Sequence, residues 1–452
     1  MSLSLVSIFL GLGLLMFLAY KGHSIIWVAP LCAAFVALLS GLNVVNTYIA
    51  FGRNPDTGVY VGSYMRGTAE YFVQWFPAFF LGAVYGKVMD MTGSARSLAN
   101  ALIKVIGPQR AVLAVLLPCM LMTYGGISLF VVVFVIYPMG YAIYRAANLP
   151  RTLLPSAISF SAFGITMTTI PGTPQIQNLI PMGFYGTTPT AAPALSIVAA
   201  LSIFVPGYLY LEYRAKQARK ELRGFTEDPQ FVEAAKGAEL PGWHWLAGLL
   251  PIITVVLVLN VFKQHIVISL LLGIVVCVIM NINQMKIILP AISTGANGSL
   301  TAIMNTSCAV GFGSVIRLVP GFAALTTAMM NMPGNILFSQ AVAVNVLAGA
   351  TGSASGGMSV ALGALGPQYL EKASILANGV ASRTNEIAQM LHRTASLASG
   401  GLDTLPHNGA VLTLLAVSHC THKDSYKDIF IGTTLIPTAV SLVIALIWGF
   451  TI

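Results

Sequence analysis

The sequence predicts an all-α polytopic membrane protein made of two inverted-topology repeats, each carrying a re-entrant hairpin and a broken transmembrane helix. Three observations lead there: an apolar composition, one basic stretch that divides the apolar segments into two equal sets, and interruptions falling in the same two segments of each set. Of the 452 residues, 56% are hydrophobic and 8% charged, and the mean hydropathy is +0.81; soluble domains hold roughly 45–50% apolar residues. The formal charge of +9 does not point to nucleic acid, because Lys and Arg are scattered singly between apolar runs. The exception is "YRAKQARKELR", Tyr213 to Arg223. Excess Lys and Arg marks the cytoplasmic side, so residues 212–242 read as a cytoplasmic basic linker between a first membrane half, 1–211, and a second, 243–452.

A helix needs about 20 apolar residues to cross about 30 Å of hydrocarbon. In the first half such runs cover Leu3 to Ala19, Ile25 to Val44 and Tyr71 to Met89. They are followed by Ala111 to Tyr144 interrupted by "TYGGIS", Leu153 to Phe184 interrupted by "TTIPGTPQ", and Ala192 to Leu211. The second half offers Trp243 to Phe262, Ile266 to Met280 and Leu300 to Leu318. Then come Ile336 to Leu365 interrupted by "TGSASGG", Ser396 to Val417 interrupted by "DTLPHNG", and Ile429 to Phe450. The first run lacks a basic leading region and a small-residue cleavage site, so it reads as a retained helix. "SARSLANALIKVIG" places Ala95, Leu98, Ala99, Leu102, Ile103 and Ile106 on one face, with Arg96, Ser97, Asn100 and Lys104 opposite, and reads as an interfacial helix. "GFAALTTAMMNM", Gly321 to Met332, holds the matching place in the second half.

The fourth and fifth units of each half are the broken ones. Setting Thr404 and Pro406 opposite Thr169 and Pro171 also sets Ser396 opposite Ser161 and Asp403 opposite Thr168, and a nearly equal offset sets Gly356-Gly357 opposite Gly125-Gly126. If each fourth unit is re-entrant, each half crosses the membrane an odd number of times and the second is inverted. Matched interrupted helices in inverted repeats are the sequence pointer to a transporter's binding site, and broken backbone at membrane depth is tolerated only inside protein or along an aqueous cavity. The four breaks, near 123–128, 169–178, 351–357 and 403–409, are therefore expected to line one cavity.

A half-helix beginning at a break presents free N–H groups and a positive dipole end, which suits an anion. The side chains there are uncharged hydrogen-bonding groups: Thr123, Ser128, Thr173, Gln175, Asn178, Thr351, Ser353, Ser355 and Asn408, beside the glycine pairs Gly125, Gly126, Gly356 and Gly357. This set fits a small carboxylate that also bears hydroxyl groups. No Arg stands at a break; Lys87 and Arg317, ending the third units, read as snorkelling cations. A charge at the centre of a membrane helix costs about 2.5–3.5 kcal/mol, so Asp403 is expected to face protein. With His407, which titrates near neutrality, it is the candidate proton-coupling site; its alternative is to cap the half-helix after Pro406. Glu386, His392 and Arg393 lie in the polar helix "SRTNEIAQMLHRTAS", read as packing at a membrane edge. The five cysteines show no CxxC spacing and read as small buried hydrophobes. His419 and His422 lack a third ligand, so neither metal nor cofactor is expected. An acid/base enzyme using Asp403 and His407 leaves the twofold repeat without a purpose, and no ring of like charges marks a channel.

"FLGAVYGKVMDMTGSA", "TYGGISLFVVVFVIYP", "TMTTIPGTPQIQNLIPMGFYGTTP" and "ASGGLDTLPHNGAVLTLLAVS" together resemble the gluconate permease (GntP) family of proton symporters, most of all its D-3-hydroxybutyrate permease branch. The resemblance covers nearly the whole chain. It implies secondary transport of a small hydroxy-monocarboxylate with protons across a bacterial inner membrane. It also implies kinship with the ion transporter superfamily, whose members are generally dimers that move a transport domain like an elevator past a scaffold. Sequences similar to gluconate carriers read approximately "FLPPHPGP" and "SHVNDSGFW" where this chain has "TTIPGTPQ" and "DTLPHNGAV", which favours an anion shorter and less hydroxylated than a sugar acid. Sodium is the alternative coupling ion, since unwound carbonyls with Ser, Thr and Asn can hold Na⁺.

Overall fold

Hydrocarbon offers no water to exposed amide groups, so a spanning segment must close its own hydrogen bonds. The computed structural model describes residues 3–21, 23–49, 63–127, 129–228, 244–322, 324, 327–328, 331–406 and 408–452, and among them all regular structure is helical. The first half opens with α1 (Leu3–Tyr20), α2 (Ile25–Leu39), the short α3 (Val44–Ile49), α4 (Tyr64–Met91) and α5 (Ser94–Ile106). α6 (Ala111–Tyr124) and α7 (Leu129–Ala146) form a hairpin. α8 (Leu154–Ser159), prolonged by the π-helical stretch Phe160–Thr166, and α9 (Ile176–Tyr185) flank a break, and α10 (Pro193–Lys220) closes the half.

The second half follows the same order. α11 (Trp245–Asn260), α12 (Ile266–Met280) and α13 (Met285–Leu318) precede the hairpin of α14 (Ile336–Thr351) and α15 (Ala354–Leu376). α16 (Ala381–Ser399) and α17 (Gly409–Val417) flank the second break. α18 (His422–Ile429) runs through π-helical Phe430–Leu435 into α19 (Ile436–Trp448). Among the described residues three stretches are long and apolar enough to cross a membrane unaided, Pro193–Lys220, Ile282–Leu318 and His422–Thr451.

The two halves are interleaved. α4 and α13 run antiparallel and in close contact: a Cβ on Gly67 would lie 2.0 Å from Ser314 Oγ, and one on Gly295 would lie 2.7 Å from Val84 Cα. α2 packs on α13 of the other half, while α12 packs on α4. Likewise α9 packs on α15 and α16, and α17 packs on α7 and α8. α5 buries Ala95, Leu98 and Ala99, and α11 meets it so closely that a Cβ on Gly248 would stand 2.4 Å from Ser94 O. The proposed counterpart of α5, Gly321 to Met332, lies partly outside the described residues, at five of its twelve positions.

Three boundaries differ from expectation. α13 begins at Met285 rather than Leu300, because Ser293, Thr294 and Ser299 in its polar stretch return their hydroxyl protons to carbonyls one turn back at 3.3, 2.8 and 2.6 Å. α10 continues nine residues into the stretch read as linker, ending at Lys220. There the Arg214 guanidinium is held by both carboxylate oxygens of the buried Asp428, at 2.6 and 3.1 Å. Third, α16 is half covered: Ala381, Ser382, Asn385 and Glu386 are exposed, while every residue from Met390 to Ser399 is buried.

Beyond α10 the chain is tied down at the protein's rim. Phe225 N–H donates to Asn148 Oδ1 at 2.9 Å, and Arg145 donates to Glu227 at 2.8 Å. That guanidinium, with the Tyr141 hydroxyl, holds the Glu227 carboxyl below the usual carboxylate range. The neighbouring Asp228 is buried and meets His419 at 2.8 Å and Arg151 at 3.5 Å.

Candidate functional site

Each hairpin turns on a left-handed glycine, which needs no Cβ there. α6 is capped by Gly125, and Gly126 (φ 88°) reverses the chain; α14 is capped by Gly352 (φ 60°). Gly352, and not the Gly356-Gly357 pair, thus makes the turn of the second hairpin. Gly356 and Gly357 lie inside the first turns of α15, where a Cβ on Gly357 would stand 2.2 Å from Ala348 Cα, so its smallness serves helix packing. Ser353 caps this helix, accepting the Gly356 N–H at 3.2 Å, with Ser355 Oγ 3.5 Å from its own hydroxyl.

Beside each tip lies the N-cap of the second segment of a broken helix, and each cap carries an amide that donates to tip carbonyls. Gln175 Nε2 donates to Thr123 O at 2.7 Å and Ile127 O at 3.1 Å. Asn408 Nδ2 donates to Gly352 O at 3.0 Å, while its Oδ1 accepts the N–H groups of Ala410 and Val411 at 2.7 and 2.9 Å. Thr173 supports the first tip, its hydroxyl donating to Tyr124 O at 3.3 Å. Carbonyls frayed by the turns find partners that lipid would not supply.

The second break holds Asp403 in a one-turn 3-10 helix, Leu402–Thr404. It does not cap α17, a role Asn408 fills. Its carboxyl is buried, and among the described residues its Oδ1 has no partner. Around it Thr404 and Thr434 hydroxyls stand 2.8 Å apart, Tyr426 donates to Thr404 O at 3.1 Å, and Leu402 N–H donates to Asn345 Oδ1 at 3.4 Å. The Thr438 hydroxyl, also buried, has no partner among these residues.

The two breaks touch. Ser396 donates to Thr168 O at 2.7 Å, and a Cβ on Gly400 would lie 2.5 Å from Thr168 Oγ1. A chain of contacts therefore runs from tip to break to break to tip. Of the sequence-predicted residues, Thr123, Gly125, Gly126, Thr173, Gln175 and Asn178 gather at the first tip and break, and Ser353, Ser355 and Asn408 at the second. Ser128 and His407 lie outside the described residues, as does the side chain of Thr351. The breaks pack on one another, and the two cavities described lie elsewhere: one of about 190 Å³ at the start of α14, one of about 240 Å³ beside Ala192–Leu195, Gln389 and Trp448. Lys87 pairs with Asp90 at 2.9 Å, and Arg317 donates to Ser314 on its own helix.

No arginine stands in a break, but one from the other half reaches a carbonyl that the first break also uses. Pro189 O accepts three donors: Gly172 N–H at 2.9 Å, Asn178 Nδ2 at 2.9 Å and Arg393 Nη2 at 3.1 Å. Arg393 also donates to Ala191 O, and it is fully buried. His392 beside it has Nε2 3.3 Å from Asn178 Oδ1 and Nδ1 2.6 Å from the Thr187 hydroxyl. A neutral imidazole satisfies both by donating from Nε2 and accepting at Nδ1. The signal for this placement was present: a helix carrying ionisable groups in so apolar a chain must be shielded from lipid.

No family model matches the chain. A solved structure, that of the Alcanivorax borkumensis YdaH transporter, superposes on 94% of this chain and 98% of its own with a TM-score of 0.58 at 14% identity, which shows the fold. A Bacillus subtilis (strain 168) protein described as the uncharacterized transporter YxjC is 37% identical, aligned over 99% of each chain. Identity of that extent over both whole lengths, on a membrane-type helical fold with paired helix breaks, places this chain in the same transporter family as YxjC.

Proposed function

We propose that the protein is a proton-coupled symporter for a short hydroxy-carboxylate, D-3-hydroxybutyrate or a related monocarboxylate, in the bacterial inner membrane with the basic 212–242 segment cytoplasmic. The observation that carries the reading is the paired bracing of the two tips, Gln175 on Thr123 and Ile127 and Asn408 on Gly352. The interleaved packing of α4 with α13 supports an inverted repeat, and with it an elevator in which the hairpins and broken helices move as the transport domain of each subunit of a homodimer. The substrate's oxygens would meet the first tip, Thr173 and Asn178 on one side, and the Ser353-capped start of α15 on the other. Asp403, buried at a break without a counter-charge among the described residues, would carry the proton with His407.

Uptake into proteoliposomes of labelled 3-hydroxybutyrate, gluconate, lactate and citrate, under separate proton and sodium gradients, tests substrate and coupling together. The expected result is accumulation of 3-hydroxybutyrate with the proton gradient alone. Asp403→Asn and His407→Ala should uncouple it; full gradient-driven uptake by both variants refutes the coupling assignment. Sodium coupling is the second reading, favoured by two unpartnered oxygens, Asp403 Oδ1 in the second break and the Thr438 hydroxyl on α19, which a Cβ on Gly401 would meet at 2.6 Å, and accumulation that follows sodium at fixed pH decides for it.

A further inference from the structure

Arg393 is the side chain that the functional reading leaves unused. Its Nε and Nη2 are occupied by the carbonyls of Pro189 and Ala191, while Nη1 is buried with no partner among the described residues, and no carboxylate among them pairs with the guanidinium. Two carbonyls orient a guanidinium but leave its charge uncompensated, and an ionised group inside a membrane protein is retained where a counter-charge meets it. The place is also specific. Pro189 O joins Arg393 to Gly172 N–H and the Asn178 amide, so the cation shares one acceptor with the first helix break.

A second observation points the same way. The cavity of about 240 Å³ is bounded by Ala192 to Leu195 and by Glu386, Gln389 and Met390. Gln389 precedes Arg393 by one turn on the same face of α16 and accepts the Ala192 N–H at 3.4 Å. Ala192, the neighbour of the Ala191 whose carbonyl holds the guanidinium, thus lines a space large enough for a four-carbon acid one residue from that carbonyl.

We propose that Arg393 is a substrate-binding residue, its guanidinium receiving the carboxylate of the transported anion at the first break through Nη1. This rests on the carboxylate-carrier reading and adds the residue that neutralises the charge.

The test compares purified wild-type protein with Arg393→Gln and Arg393→Lys, measuring binding of 3-hydroxybutyrate and of its uncharged amide by calorimetry, alongside proteoliposome uptake. Wild type should prefer the acid. Arg393→Gln should bind the acid about ten- to a hundredfold more weakly with its preference over the amide lost, an effect that a purely structural role would not produce. Arg393→Lys keeps the charge but not the planar fork, so it should retain the preference at reduced affinity, and it carries the test if the glutamine variant does not fold. Unchanged acid affinity in either variant, or an acid preference surviving in Arg393→Gln, overturns the proposal while leaving the carrier reading in place. A wild type that neither binds nor moves any carboxylate overturns both.

Discussion

At the scale of single residues the hairpin glycines and the rim carboxylates give the sharpest expectations. Gly126 sits at φ 88°, and a Cβ there would stand 2.8 Å from Pro174 Cγ. Gly126→Ala should cost about 1–2 kcal/mol from the left-handed backbone alone, seen as a lower melting temperature in detergent. Gly13→Ala, where a Cβ meets nothing within 4 Å, should leave melting unchanged or slightly raised. Glu227 gives a pH dependence. Its pKa is depressed in the folded state by Arg145 and Tyr141, so its contribution is present above the ordinary carboxylate range, about 4, and is lost as pH falls through the lower folded value. The melting difference between wild type and Glu227→Gln should exist at pH 7 and vanish on acidification; a difference that persists in acid contradicts the assignment. Asp403 was legible as a buried group because an acid in an apolar run has nowhere else to go. Arg393 was not legible as a site residue, because its partners Pro189 and Ala191 are 204 and 202 positions away.

At the scale of elements, the braced tips are what the sequence only half reveals. Proline and glycine located the breaks, and the interrupted units fall where the structure has its hairpins and split helices. What spacing could not tell is whether a glycine turns the chain or admits a neighbouring helix, so Gly356-Gly357 was paired with a tip when Gly352 makes the turn. Nor could it show that hydroxyls bonded back to their own helix carry α13 through a polar stretch. Removing either brace isolates the claim: Gln175→Leu takes the side-chain donor from Ile127 O and leaves Thr123 O the Gly126 N–H, and Asn408→Ala removes both a cap and a tip bond. Each should destabilise by about 1–3 kcal/mol and slow uptake. Wild-type melting and wild-type uptake in both variants would deny the tips any dependence on these amides.

At the scale of the whole molecule, α13 and α15 are the pair to join if the hairpins move against a fixed scaffold. A Cβ on Gly313 would lie 3.7 Å from Val360 Cβ, within the range of about 3.5–4.5 Å that a disulfide spans. In an otherwise cysteine-free background, Gly313→Cys with Val360→Cys should cross-link on oxidation, arrest uptake, and recover it on reduction. Undiminished uptake in the oxidised protein would mean that these helices travel together and that the elevator assignment is wrong. One basic stretch suggested a division into halves, but no spacing could show the packing between them, which depends on contacts between residues as far apart as Gly67 and Ser314.

That interleaving constrains biogenesis. α4 enters the membrane with a face shaped for the backbone of α13, which the ribosome has yet to make, and α2 waits for the same helix. The first half must therefore persist as an incomplete guest of the bilayer, open to quality-control proteases, until the second is inserted. Expressed alone it should be degraded, whereas two polypeptides divided between residues 229 and 243 and produced together should co-purify as one particle. In assembly terms the molecule behaves as an intertwined pair of subunits written on a single chain.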